Sequence, residues 1–253
     1  MQTKQQKKEE DSLIFGMRPI IEAVRAGKEI DKLFVQTGLK SELFSELMGV
    51  LKQHNVSFQY VPVEKLNRLT TKNHQGVAGF ISAITYHKIQ DILPTLFEEG
   101  KNPLVLILDR ITDVRNFGAI ARTAECSGVH AIVIPTHGAA QINADAIKTS
   151  TGALHKIPVC REENLKTTID FLKECGLQIV ACTEKATDYY FQMDFTIPTA
   201  IIMGSEEDGI LNEYIQKSDA KAKIPLMGEI GSLNVSVATG IILYEAVSQR
   251  LVN

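Results

Sequence analysis

Long apolar runs are missing from this 253-residue chain, and none approaches the ~20 residues that a membrane-spanning helix needs. A secretory leader is missing as well. Met1 to Asp11 is rich in Lys, Gln and Glu and has no apolar core, so it reads as the disordered tail of a cytoplasmic protein. There is no Cys-x-x-Cys pair. The four cysteines, Cys126, Cys160, Cys175 and Cys182, are scattered, as expected of reduced thiols that are buried or incidental. The six histidines are equally dispersed, so no metal site is expected. No Gly-x-Gly-x-x-Gly follows a predicted strand and no Gly-Lys-Ser/Thr occurs. That counts against a nicotinamide dinucleotide enzyme and against a phosphate loop. Internal repeats are absent.

What remains is a globular composition, 44% hydrophobic and 23% charged, on a chain long enough for one large or two modest domains. Residues 1–90 carry 13 Lys/Arg against 9 Asp/Glu, and residues 91–253 carry 14 against 21. A basic first part would suit phosphate contacts, although charge alone favours chance asymmetry.

Periodicity predicts two successive α/β units. In the first, helices are expected over Ser12–Gly27, Ser41–Asn55 and Val63–Leu69, with strands over Lys32–Gln36, Phe58–Val61 and Val77–Ile84. Residues 86–102, with Pro94, Gly100 and Glu98-Glu99, read as a linker containing a short helix. Strands are then expected over Leu104–Leu108, Ala131–Pro135, Gln178–Cys182, Ala200–Met203 and Ala222–Pro225. Helices are expected over Asn116–Gly128, Ala144–Thr151, Leu165–Cys175, Leu211–Lys217 and Asn234–Leu251. Such alternation implies a parallel sheet covered on both faces, with ligands at the strands' carboxyl ends.

Three segments sit at such ends. Asp109 to Ala124 turns into a helix near Asn116, which as ordinary structure would be a helix cap, with Gly118 a close-packing glycine and Arg122 a solvated group. Gly204-Ser-Glu-Glu-Asp-Gly209 reads either as an acidic helix N-terminus or as a place where Gly204 lets a cofactor approach the backbone. In Ile224 to Gly240, Ser232, Asn234 and Ser236 alternate with Leu233, Val235 and Val237. A strand, a turn and a capped helix leave those three polar groups unexplained as a set, which favours a binding site.

Taken in order, the segments resemble the motifs of the SpoU/TrmH family of RNA ribose 2′-O-methyltransferases. Asn-x-Gly-x-x-x-Arg-Ser/Thr-Ala matches Asn116, Gly118, Arg122, Thr123 and Ala124. Gly-x-Glu-x-x-Gly matches Gly204, Glu206 and Gly209, and the third motif matches Ile224-Pro225 and Ser232 to Ala238. Departures are Glu207, where many relatives have Gly, and Leu226-Met227, where Met often follows Pro directly. Gly16 to Val24, His74-Gln75-Gly76-Val77 and Gln141 to Ala144 are similar to members with an extra N-terminal domain of ribosomal-protein-like α/β fold. Those members include the subgroup that methylates a guanosine ribose in 23S rRNA; tRNA enzymes and a non-catalytic RNA-binding member remain alternatives.

The resemblance implies a disordered tail over 1–11, an RNA substrate-binding domain over 12–85, a linker over 86–102 and a methyltransferase domain over 103–253. It also implies a deep C-terminal trefoil knot, where connectivity rules alone predict an unknotted doubly wound sheet. S-adenosylmethionine is the implied cofactor, RNA the implied partner and a homodimer the implied assembly. Arg122, Asn116, Glu206, Ser232 and Asn234 are the implied catalytic residues. Gly204, Ile224, Leu233, Met203, Leu226, Ser232 and Asn234 would line the cofactor, and Arg18, Lys72, His74, Gln75, Arg115 and Asn143 would meet RNA.

Overall fold

The computed structural model describes residues 12–252, so the tail expected over 1–11 lies outside the described residues. They form two compact units: residues up to 85 together with Gln141–Ala144, and Tyr86–Ala140 with residues from Asp145 onward.

The first unit is a four-stranded sheet of order β1-β4-β2-β3, from β1 (Leu13–Phe15), β2 (Ile30–Gln36), β3 (Gln59–Val61) and β4 (Val77–Ile81). Side chains alternate across a strand, so β2 sends Leu33 and Val35 to one face and Phe34 to the other. Leu33 and Val35 pack with Ile20, Ile21 and Val24 of α1 (Met17–Arg25) and Leu47, Val50 and Leu51 of α2 (Glu42–Gln53). Phe34 packs with Val61, Ala78 and Leu66 of α3 (Val63–Leu69). Ser41 starts α2 as expected of a cap, its hydroxyl accepting from Phe44 N at 3.0 Å. The single helix expected over Ser12–Gly27 is instead a short strand and a helix. Gly16, at φ 90°, breaks the two apart, and Leu13–Phe15 pairs antiparallel with β4.

The second unit is a seven-stranded parallel sheet of order β7-β6-β5-β10-β8-β11-β9. Its strands are β5 (Leu104–Leu108), β6 (Ala131–Pro135), β7 (Val159–Glu162), β8 (Gln178–Cys182), β9 (Asp188–Tyr189), β10 (Thr199–Met203) and β11 (Ala220–Lys223). All five residues of β5 and of β10 are buried, as both-face coverage requires. β7 and β9 went unanticipated in the sequence. Its helices are α4 (Ile89–Glu98), α5 (Val114–Cys126), α6 (Ala144–Thr149), α7 (Leu165–Glu174), α8 (Asn212–Lys217) and α9 (Val235–Val252). α6 starts with Ala144, the last residue of the segment that groups with the first unit.

The stretch expected as a linker is more than that. α4 buries Ile89, Leu93 and Leu96 in the core formed with α7, α8 and the alternate residues of β5, β6, β8 and β10. Pro94 sits inside α4, and the apolar i, i+4, i+7 face outweighs it. No described helix is long and apolar enough to cross a membrane. All four cysteines are free; burial pushes the Cys160 and Cys182 thiols up to about 12, so both stay protonated and unreactive, whereas Cys126 is exposed.

Half-buried His130 accepts a hydrogen bond from Leu104 N through Nδ1 at 3.0 Å. Burial first, then the charges of Arg250 and Lys101, hold its pKa below the ordinary imidazole value. Protons therefore bind the unfolded chain more readily. The stabilisation is complete above the unfolded value of about 6.5 and is lost as pH falls toward the lower folded value. Between pH 6.5 and 5 the wild-type Tm is expected to fall more steeply than that of His130→Asn, whose amide oxygen can replace the acceptor. Equal slopes in a thermal-melt series would rule His130 out as the source.

Candidate active site

The site is built at the carboxyl end of β5. Asp109, only 1% exposed, accepts from Leu211 N at 2.8 Å and from the Arg110 guanidinium at 3.0 and 3.2 Å. The bond to Asp109 is the main cause holding the Arg110 pKa above its ordinary value, so Arg110 stays charged. Asp113, not Asn116, caps α5: its carboxylate accepts from Asn116 N at 2.7 Å, and the helix begins at Val114. That correction frees the Asn116 side chain in the first turn. Arg122 lies in the third turn of α5; it is exposed and makes no hydrogen bond or ion pair among the described residues. Gly118 is a close-packing glycine, since an added Cβ would fall 2.7 Å from Thr149 Cβ.

After β10 the chain makes a tight turn in which Gly209 N bonds to Ser205 O at 3.0 Å and Asp208 N to Ser205 Oγ at 3.2 Å. A Cβ on Gly204 would lie 2.2 Å from Gly209 C and 2.3 Å from Ile210 N. The glycine is thus required because the chain passes over itself, a reason different from the expected approach of a cofactor to the backbone. Exposed Glu206 stands in this turn.

The third segment is irregular from Ile224 to Asn234 and then becomes α9. Asn234 donates through Nδ2 to Asn116 Oδ1 at 3.0 Å and to Glu206 Oε1 at 2.8 Å. Asn116 Nδ2 donates to the same Glu206 Oε1 at 3.2 Å, and Val235 N donates to it at 3.3 Å. Ser236 braces Asn234, donating to its Oδ1 from the backbone at 2.9 Å and from Oγ at 2.5 Å. Three segments far apart in sequence thus meet on one carboxylate oxygen, which is an acceptor only and lies at a helix N-terminus, where negative charge is favoured.

The other expected residues are placed as follows. Ser232 is exposed and outside this network among the described residues. Met203 ends β10 and is buried, Ile224 is half-buried, and Leu226 and Leu233 are partly exposed. From Leu226 to Leu233 no backbone N–H donates to the chain among the described residues. Free amide donors beside apolar side chains suit a nucleoside, which needs hydrogen bonds at its edge and apolar cover on its faces. Arg115 is exposed seven residues, two turns, before Arg122, and so shares its helix face. Among the described residues, no group of three or more His, Cys, Asp or Glu is placed to hold a metal ion.

In the first unit, Arg18 and Lys72 are exposed, the Lys72 ammonium lying 5.8 Å from the Phe15 ring centre. Asn143 lies in the 141–144 segment, where its amide bonds to Gln141 O at 3.1 Å. His74 corrects an expectation. It is buried, Nδ1 accepts from Gly76 N at 2.9 Å, and Nε2 therefore carries the proton to Asn67 Oδ1 at 2.9 Å, so both nitrogens are engaged. Gln75 takes φ 51° and accepts from Met17 N at 3.2 Å, tying down the start of α1. His74 is thus a structural group of this turn, whereas Gln75 remains exposed.

The SpoU rRNA Methylase family profile matches residues 103–244, and a profile described as RNA 2′-O ribose methyltransferase substrate binding matches residues 13–87. The chain belongs to the SpoU rRNA methylase family. It is therefore an RNA methyltransferase, and the matched region contains the convergent Asn116, Glu206 and Asn234. A TrmH-family tRNA/rRNA methyltransferase relative from Bacillus subtilis (strain 168) is 34% identical, over 94% of this chain and 95% of its own. One from Staphylococcus aureus (strain MSSA476) is 37% identical, over 95% and 97%. The SpoU methyltransferase AviRb from Streptomyces viridochromogenes, crystallised with S-adenosylmethionine, superposes with a TM-score of 0.61 at 25% identity, covering 95% of this chain and 91% of its own.

Nothing but a polar stretch after an apolar run pointed to Asp109, Arg110, Asp113 or Asp208 as site-building residues. Arg110 also takes φ 56°, a left-handed conformation costly for a residue with a Cβ.

Proposed function

We propose that the chain methylates a ribose 2′-hydroxyl of RNA, most specifically a guanosine of 23S rRNA as in the RlmB subgroup, and works as a cytoplasmic homodimer. The carrying observation is the meeting of Asn116, Asn234 and the α9 N-terminus on Glu206 Oε1, on a helix that also presents the unpaired Arg122. S-adenosylmethionine is the cofactor, and its sulfonium supplies a methyl group already activated for transfer. The 224–233 segment would hold it through free amides and through Leu226 and Leu233, with Met203 and Gly204 at the strand end.

The chain's own task is alignment and charge. Arg122 is a poor base, because a guanidinium gives up its proton too reluctantly to be free to take another. It instead stays charged, grips the phosphate next to the target ribose and stabilises the developing alkoxide, while the hydroxyl proton passes to solvent. Glu206 locks Asn116 and Asn234 so that their polar groups face the ribose without rearranging. Exposed Arg18 and Lys72 of the first unit would contact phosphates. Ser232, free of the network, is available to substrate or cofactor.

Homodimerisation is supported by α9, where Val237 (52% exposed), Tyr244 (52%) and Leu251 (81%) recur every seven residues as an unpartnered apolar stripe. A trefoil knot in the C-terminal part is part of this reading; β10, late in the chain, lies between β5 and β8.

The test is tritiated S-adenosylmethionine with purified protein and three RNA pools, unmodified 23S rRNA, 16S rRNA and tRNA. Products are mapped by resistance to alkaline cleavage, which a 2′-O-methyl confers. Label in 23S rRNA alone is the expected result. Label confined to tRNA would overturn the substrate while keeping the chemistry, and label that cleaves normally in alkali would overturn the ribose hydroxyl as acceptor.

A further inference from the structure

Arg110 has no part in the chemistry above, yet its side chain is the most heavily bonded group at the end of β5. Three-quarters of it is covered, with 27% exposed. Nε donates to Asp109 Oδ1 at 3.0 Å, Nη1 to Asp208 Oδ2 at 3.0 Å, and Nη2 both to Asp109 Oδ2 at 3.2 Å and to the Gly209 carbonyl at 3.0 Å. Asp109 in turn takes the amide of Leu211. The far limb of the turn is thus tied to β5 at positions 208, 209 and 211. Its near limb leaves β10 at Met203, which is paired with Leu108. Glu206 stands between the two anchored limbs.

We propose that Arg110 is a positioning residue that sets the 204–211 turn at the height where Glu206 Oε1 meets Asn116, Asn234 and the first amide of α9. The inference rests on the reading of Glu206 as the organiser of the site. A planar guanidinium suits the task because it reaches two carboxylates and a carbonyl from one fixed fork. Lysine offers a single point of charge. The left-handed backbone at 110 is one that glycine would hold without strain, so the side chain's bonds, not the backbone, account for an arginine there. Without the clamp the turn would still form, because its internal bonds from Ser205 remain. Glu206 would then sample positions out of reach of its three donors.

The test is a double-mutant cycle on the full chain, reading S-adenosylhomocysteine affinity by calorimetry and Tm by thermal melt. Arg110→Ala and Glu206→Gln are each expected to weaken binding about tenfold, with the double variant no weaker than the worse single one, because both remove the same arrangement. Arg110→Lys should recover part of the loss, and the Tm of each should stay within a few degrees of wild type. If Arg110→Ala does not fold, Arg110→Gln takes its place in the cycle. Affinity within twofold of wild type in the Arg110 variant, or losses that multiply in the double variant, would overturn the proposal. Binding of this probe needs no RNA, so failure to methylate any RNA pool would sink the substrate reading and leave the cycle valid.

Discussion

Arg122→Ala is expected to lower turnover roughly a hundred- to thousand-fold while S-adenosylhomocysteine affinity stays within a few fold. The size follows from removing one preorganised charge from a developing oxyanion. The selectivity follows from the structure: Arg122 bonds to nothing in the chain among the described residues, so its loss disturbs neither Glu206 nor the 224–233 segment. Arg122→Lys should lie between the two, since it keeps charge but loses the bidentate grip on phosphate. If Arg122 were a base, rising pH would partly rescue the alanine variant, and lysine, the more easily deprotonated side chain, would outperform arginine at high pH. Single-turnover rates across pH 7–9.5 separate the two roles. Full activity in Arg122→Ala would remove it from the mechanism.

The second large effect belongs to Gly204→Ala. The added methyl would need to occupy space 2.2 Å from Gly209 C and 2.5 Å from Gly209 O, both backbone atoms that have no rotamer to move. Overpacking of a tight site costs about 1–3 kcal/mol and occasionally more, and a backbone clash belongs at the upper end. At ~2–4 °C per kcal/mol for a domain of this size, Tm should fall by about 6–12 °C. Because the displaced turn carries Glu206, cofactor affinity should fall with it. Gly49 in α2 is the contrast: nothing lies within 4 Å of its missing Cβ, so Gly49→Ala should raise stability by about 0.5–1 kcal/mol. A Gly204→Ala protein that melts like wild type would show that the turn relaxes freely.

That the three segments belong together was legible because each follows a predicted strand and carries short polar groups, although Gly204 lets the chain pass over itself where a cofactor's approach was expected. What holds the motifs in place was not. Arg110 acts on Asp208 and Gly209, about a hundred residues away, and nothing in its neighbours announces that reach. Two acceptable caps stood three residues apart, and the Asp113 carboxylate, accepting from Asn116 N, is the one that starts α5. Pro94 made residues 86–102 look like a linker, although Ile89, Leu93 and Leu96 already carried a helical face. Residues 12–27 looked like one helix because the partner of Leu13–Phe15 is β4, far along the chain. His74 looked available to RNA, since polarity in a turn does not reveal whether a ring nitrogen faces water or a neighbouring amide.

The meeting of Asn116 and Asn234 joins residues 118 positions apart, with Glu206 supplied from between them. A chain leaving the ribosome N-terminus first therefore cannot assemble this cluster until residue 234 has emerged. The described residues of the first unit, apart from Gln141–Ala144, have all been made by residue 85. The Asn116–Glu206–Asn234 cluster is therefore the later of the two to be completed.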